Sequence, residues 1–306
     1  MPPSPSAVQP AAHGVRGILL YCVSMLTFAA LDTAAKYAGR YLPPVEVVWV
    51  RFAVHLALAL LILQPWRDFR PYRTRRPWLQ GLRSLFLVSS TLFNFLALRH
   101  LQLDQTISIG FASPFLIAAL AGPLLGEWAG PHRWVAIGIG FLGVLVITGA
   151  GSRGFDPAML LSVCAATSYS LYILLTRLLA SSESSAGMLL YSAMLPALLL
   201  TPVALPIAEP PPGLVVALCL LLTGICGMFG HWCVIIAHRM TPAPVLAPFM
   251  YTQIIWALLL GMVVFGDRPA ANTLAGAGII VASGVYLLYR ERRSAPGRLP
   301  STIDDA

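Results

Sequence analysis

Apolar residues along this chain come in long blocks, broken by short polar or proline-marked connections. A helix that crosses a bilayer needs about 20 mostly apolar residues. That length predicts ten segments, at 17–38, 45–64, 78–98, 104–125, 132–150, 157–179, 187–206, 213–237, 243–265 and 271–289. Helices are the expected element, because an open strand edge finds no partners in hydrocarbon. Pro43-Pro44, Pro131, Pro157, Pro210 to Pro212, Pro242 and Pro269 mark several of the connections.

The second half of the pattern copies the first. "ALRH" at 97–100 lies over "AHRM" at 237–240, and Gly126-Glu127 over Gly266-Asp267. Near the start the offset is 141, which puts Phe28 over Tyr169 and Lys36 over Arg177. Each copy holds five predicted spans, an odd number, so the copies enter the membrane in opposite directions. Inverted repeats of this kind place a solute site between the halves, near the midplane. The fold class expected is therefore an all-α integral membrane protein, ten transmembrane helices arranged as two inverted five-helix repeats. The expected divisions are a disordered cytoplasmic tail at 1–15, repeats at 16–150 and 156–290, and a basic then polar cytoplasmic tail at 291–306.

Composition agrees with the pattern. Of 306 residues, 58% are hydrophobic and 10% charged, and the mean hydropathy is +0.77. Soluble domains run near 25% charged. The net charge of +8 does not read as a nucleic-acid surface, because the basic residues sit between apolar runs. They read as topology signals. Arg67, Arg70, Arg73, Arg75 and Arg76 follow the second span, and Arg290, Arg292, Arg293 and Arg298 follow the tenth. Both clusters fall on one side, so both termini are expected in the cytoplasm, with the chain in the cytoplasmic (inner) membrane. The first fifteen residues lack a basic start and an apolar core, so they are not a cleavable signal peptide. Cys219, Cys226 and Cys233 repeat every seven residues without a CxxC, and read as small packing residues.

"NFLALRHLQLDQTISIGFASPFLIAALAGPLLGE" (94–127) and its looser copy "VIIAHRMTPAPVLAPFMYTQIIWALLLGMVVFGD" (234–267) resemble the drug/metabolite transporter superfamily, in its ten-span branch with two EamA domains. The likeness runs over about 17–290. "LDTAAKYAGRYLPPVEVVWVRF" is similar to the subgroup that holds riboflavin and S-adenosylmethionine carriers. The resemblance implies a carrier of small polar or amphipathic organic solutes working by alternating access. Efflux of an amino-acid-like or metallophore-like metabolite is the expected role, because efflux is commoner in the superfamily. Uptake of a vitamin- or nucleoside-like nutrient is the alternative.

Several polar residues inside the spans are candidates for the solute path, since charge at the bilayer centre is costly. Asp32 and Lys36 stand one helical turn apart, acid before base. They either neutralise each other near the interface, or leave Asp32 as an amine contact or proton site. Asp32 has no repeat counterpart, since Ile173 takes its place. Arg51 and His55 share the same spacing on the second span, and Arg51 suits a substrate carboxylate or an acidic partner. Asn94, Ser108 and Ser113 lie in or near spans three and four. Tyr169, Tyr172, His231, Trp232, Tyr251, Gln253 and Trp256 form an aromatic and polar set in the second half, fit for a flat or cationic solute. Glu127, Asp267, Lys36 and Arg177 read as structural or gating residues. No G-x-x-x-x-G-K-[ST] loop is present, so movement must follow a solute gradient or a coupled ion such as a proton. No HExxH, GxSxG or Cys–His cluster appears. A membrane enzyme is the distant alternative, and no cofactor or metal is expected. The partners expected are the small solute, the lipid bilayer and no nucleic acid, with the chain a monomer or homodimer.

Overall fold

The computed structural model describes residues 10–97, 100, 109–110, 112–148, 157–266 and 271–293. Every regular element among them is helical. The spans are α1 (Pro10–Ala38), α2 (Pro44–Leu63), α3 (Pro77–Ala97), α4 (Ser113–Leu125) and α5 (Pro131–Thr148) in the first half. The second half holds α6 (Met159–Ala180), α7 (Ser185–Ala204), α8 (Leu214–Met240), α9 (Ala243–Phe265) and α10 (Ala271–Arg293). Helix α1 begins inside the stretch expected to be a disordered tail. Proline is tolerated in a first helical turn, and Ala11-Ala12 favour helix. Helix α10 likewise runs past the predicted end of span ten.

Local sequence explains how the helices start and stop. Pro44, Pro77 and Pro131 open α2, α3 and α5. Ser184 caps α7, its Oγ accepting from Gly187 N at 3.0 Å. Pro244 and Pro248 break α9 near its start, which runs through a 3₁₀ turn at Ala247–Tyr251 before Thr252–Leu260. Gly126 after α4 and Gly266 after α9 adopt φ of +72° and +69°. Only glycine takes that left-handed cap without strain. The two caps stand at matching places in the two repeats.

Among the described residues, six helices (α1, α2, α6, α7, α8 and α9) are long and apolar enough to cross a membrane. Helix α3 differs. Gln80, Arg83, Ser84, Ser90 and Thr91 recur at helical spacing and are buried, so its polar stripe faces inward. Aliphatic residues such as Leu61, Ile62, Leu198 and Val263 cover the outside of the bundle, as lipid requires.

Helix contacts follow a two-fold plan. Helix α1 packs on α8, and its counterpart α6 packs on α3. Helices α2 and α7 pack on each other, as do α5 and α10. The α5–α10 crossing contains the symmetry in detail. A Cβ on Gly143 would meet Gly276 O at 2.8 Å. At the matching contact, Ser283 Oγ donates to Ala136 O at 2.7 Å. On α8, Gly224 and Gly230 let Val54 of α2 and Phe28 of α1 approach to distances that leave no room for a Cβ.

Candidate functional site: a cavity between the two repeats

A cavity of about 600 Å³ lies between the halves, reaching from Arg51 and His231 in the interior to Gly39, Pro44 and Phe265 at one end of the bundle. Matched positions from both repeats line it. Phe28 faces it with Tyr169, Thr91 with His231, and Ser113 with Gln253. These pairs are 141, 140 and 140 residues apart. The cavity therefore lies where the repeats meet.

The charged groups do not follow this symmetry. Arg51 on α2 is 7% exposed. Its Nη1 donates to Thr91 Oγ1 at 3.0 Å, and its Nη2 to His231 Nε2 at 3.2 Å. Arginine has no acceptor, so His231 Nε2 must accept. The ring is then neutral, with its proton on Nδ1, which donates to Tyr172 Oη at 2.9 Å. Arg51 Nε has no hydrogen-bond partner. Across the cavity, Asp32 on α1 accepts from Gln253 Nε2 at 2.9 Å and is exposed to the cavity space. The repeat counterparts of Asp32 and Arg51 are Ile173 and Ser192, both fully buried.

The Asp32–Lys36 pair does not form. Lys36 Nζ sits 4.4 Å from the Phe265 ring centroid at the cavity mouth. Arg51, Asn94, Ser113, Tyr169, His231 and Gln253 join Asp32 in the lining. Five other candidates lie behind the wall. His55 stacks on His231 with ring centroids 5.9 Å apart, and both of its ring nitrogens lack partners. Tyr172 supports His231 from the far side. Trp232 packs in a cluster with Leu179 and Met188. Tyr251 turns to α5, where it donates to Ile137 O at 3.3 Å and fills the space at Gly140. Trp256 packs on the main apolar core. Ser108 and Asp267 lie outside the described residues.

Thr91, Ser90 and the rings of Phe28, Phe95 and Phe265 also line the cavity, though the sequence reading passed over them. For Ser90 and Thr91 the signal was the polar stripe of α3. Arg83 on the same stripe is fully buried, bonded to Gln80 Oε1 at 3.2 Å and to Met188 O, with Tyr172 beside it.

The opposite end of the bundle is tied shut. Glu127, after α4, accepts from Arg177 Nε of α6 at 2.6 Å and from Ala243 N of α9 at 2.9 Å. Arg177 also donates to His238 O of α8. This is the ion pair found among the described residues. Nearby, Thr241 Oγ1 donates to Gly14 O at 3.3 Å and occupies the space at Gly17, which holds α1 against α8.

An inverted-repeat helical bundle with a polar cavity at the repeat junction, reached from one end and tied at the other, is the architecture of a secondary carrier. The chain belongs to the EamA-like transporter family, whose model matches residues 15–149 and again residues 156–290. It is a multi-pass integral membrane protein. It is 27% identical over 280 residues to an S-adenosylmethionine uptake transporter of Rickettsia prowazekii, spanning 92% of this chain and 95% of the relative. It is 29% identical over 290 residues to a riboflavin transporter of Vibrio cholerae, spanning 92% and 96%. A crystal structure with 23% identity superposes with a TM-score of 0.72, over 88% of this chain and 96% of the other. That last likeness concerns the fold alone.

Proposed function

We propose that this chain is a carrier of the cytoplasmic membrane that takes up a nucleoside- or vitamin-like organic solute by alternating access. The cavity at the repeat junction carries the reading. Its volume of about 600 Å³ lies within the roughly 300–1,000 Å³ usual for small-molecule sites. Its aromatic rings suit a flat heterocycle. Matching elements line it from both halves, so exchanging their conformations would open the tied end and close the other.

The direction proposed is uptake rather than the efflux expected from the sequence. One named relative is an uptake transporter for a nucleoside-containing metabolite, and another carries a vitamin. The arginine-rich loop after α2 lies at the tied end, where Arg75 N donates to Glu183 Oε1 at 3.0 Å. The positive-inside rule makes that end cytoplasmic, with both termini on the same side. The cavity then faces outward. A single chain encloses the cavity, which supports the monomer as the transporting unit. Faster entry under an imposed proton gradient would show coupling to a proton.

The test is flux into proteoliposomes holding the purified full chain. Labelled S-adenosylmethionine and riboflavin are supplied separately, with and without an imposed proton gradient and with unlabelled solute inside. Saturable entry of one of them, accelerated by internal solute, is expected. Entry no faster than into protein-free vesicles for a broad nutrient panel would count against a carrier of this class.

A further inference from the structure

Among the described residues three charged ones line the cavity, Asp32, Lys36 and Arg51; the first and the last are each hydrogen-bonded to neutral partners. Arg51, which lines the cavity, binds Thr91 and a neutral His231, and its Nε, buried on the side of Gly227, has no partner. Asp32 binds the amide of Gln253. Lys36, the cation nearest to Asp32 along its own helix, rests on Phe265 instead. Among the described residues neither Asp32 nor Arg51 belongs to an ion pair. Charges held inside a bilayer are costly; Asp32 and Arg51 feel each other across the cavity but make no direct ion pair, and the fold does not require either one. At the matched positions the second repeat places Ile173 and Ser192, well packed and uncharged.

We propose that the cavity recognises an α-amino-acid head group, with the substrate carboxylate on Arg51 and the substrate ammonium on Asp32. The rest of the solute lies among Phe28, Tyr169, Phe95 and Phe265. A guanidinium is the natural seat for a carboxylate, since its fork matches the two oxygens. Its hydrogen bonds to Thr91 and His231 hold it in place and use one hydrogen on each terminal nitrogen, which leaves the second hydrogen of each for a carboxylate oxygen. An ammonium brings three donors to a carboxylate whose present partner donates only one hydrogen. A solute of this kind neutralises both wall charges together. A simple cation would serve Asp32 alone, and a simple anion Arg51 alone. A neutral flavin would leave both without a direct ionic contact, and sites built for polar groups reject ligands that lack them. The proposal rests on the carrier reading and narrows it to zwitterions, of which an adenosyl amino acid is one.

The test measures competition and flux on the full chain with an adenosyl amino acid, its decarboxylated amine, its deaminated acid, riboflavin and L-methionine. In the unmodified protein, losing either the carboxylate or the amine should weaken binding at least 30-fold, and riboflavin should compete poorly. In Arg51→Gln the adenosyl amino acid and its decarboxylated amine should bind within two-fold of each other. The preference for the amine should persist. Asp32→Asn should do the reverse. A general loss of folding would lower all affinities together, and the analogue series on the unmodified protein needs no variant. Equal competition by all analogues, or tight binding of riboflavin, overturns the zwitterion proposal while leaving the carrier reading intact. Head-group-dependent binding without any flux supports the proposal and rejects the carrier reading. Failure of every probe to bind rejects both.

Discussion

The two repeats share one fold but divide the chemistry of the cavity unequally. At matched positions the first half offers Phe28, Thr91 and Ser113, and the second offers Tyr169, His231 and Gln253. Phe28 and Tyr169 both supply an aromatic ring, and the other two pairs keep a polar side chain at each place although they differ in size. The charges are different. Asp32 and Arg51 come from α1 and α2, while α6 and α7 carry Ile173 and Ser192 at those places, both sealed in the core. Symmetric positions can serve movement, whereas the unmatched charges can serve recognition. Labour is also divided across the cavity. The second half holds the charges of the first in place, through His231 on Arg51 and Gln253 on Asp32.

The largest break in this arrangement comes from Arg51→Met. The change removes the cation and leaves Thr91 and His231 without their common donor. Losing one partner of a buried, hydrogen-bonded charge costs about 2–5 kcal/mol, or about 30-fold to several thousand-fold in affinity. Initial uptake rates of the adenosyl solute should fall by at least about 30-fold. Arg51→Lys should recover little, because a single ammonium cannot span Thr91 and His231 as the fork does. Rates within three-fold of the unmodified protein in Arg51→Lys would show that charge alone matters there. The reciprocal change, Ser192→Ala, removes an uncharged hydroxyl that bonds Met188 O of its own helix at 2.9 Å and lies beside Tyr172. It should leave uptake within about two-fold, and a larger loss would undo the contrast between the halves.

The next effect concerns the tied end. Glu127 and Arg177 join α4, α6, α8 and α9 through one ion pair and two backbone contacts. Both side chains are about one-fifth exposed, so the pair is neither a free surface bridge nor a sealed one. Arg177→Met should loosen this closure. A cysteine placed at Leu246, which is fully buried in α9 beside that end, should then react faster with a water-soluble maleimide, by about ten-fold if the closure contributes about 1.4 kcal/mol. Unchanged labelling, with unchanged uptake, would make the pair a passive surface contact.

Much of the fold was legible because the bilayer imposes a length on each span and the repeat gives two readings of it. The starts expected at 45, 78 and 132 fall one residue inside the observed ones, where Pro44, Pro77 and Pro131 open the helices. The site was legible where a residue is out of place in lipid: Asp32 and Arg51 are costly there, so their presence asks for a reason. Aromatic residues carry no such signal. Tyr251 and Trp256 count as interior by position along α9, yet pack against α5 and the core instead of the cavity, because a ring is at home in lipid, core or site alike. Depth can be counted from a span's end, but the direction a side chain faces depends on its neighbours. Helix α3 is the exception. Its polar residues at 80, 83, 84, 90 and 91 recur at helical spacing, and an apolar solvent makes that stripe the inward one.

At the α5–α10 crossing the comparison concerns stability rather than transport. Gly143 presses on the carbonyl of Gly276, whereas its mate Ser283 meets Ala136 with a full side chain and a hydrogen bond. Gly143→Ala places a Cβ against backbone that has no rotamer to yield. Overpacking of this kind costs about 1–3 kcal/mol. Ser283→Ala loses one hydrogen bond, worth about 1 kcal/mol. The melting temperature in detergent should therefore drop further for Gly143→Ala than for Ser283→Ala. The opposite order would mean that the two contacts are not equivalent.

The smallest effect should come from Lys36→Met. Lys36 stands over Phe265 at the mouth, with Arg40 on the same ring at 5.1 Å, and it is exposed. A cation–π contact at an exposed site is worth about 0.5–1 kcal/mol, a factor of two to five. Arg40 remains to cover part of the ring after the change. Lys36→Met should thus alter the half-saturating concentration by no more than about five-fold and leave the maximal rate unchanged. Its repeat mate Arg177 makes a charged bond to Glu127 at the other end, so the two basic residues occupy matched places under different constraints. If Lys36→Met were as damaging as Arg51→Met, the mouth would hold a solute contact of its own, and the head-group site would extend outward from Asp32 toward Phe265.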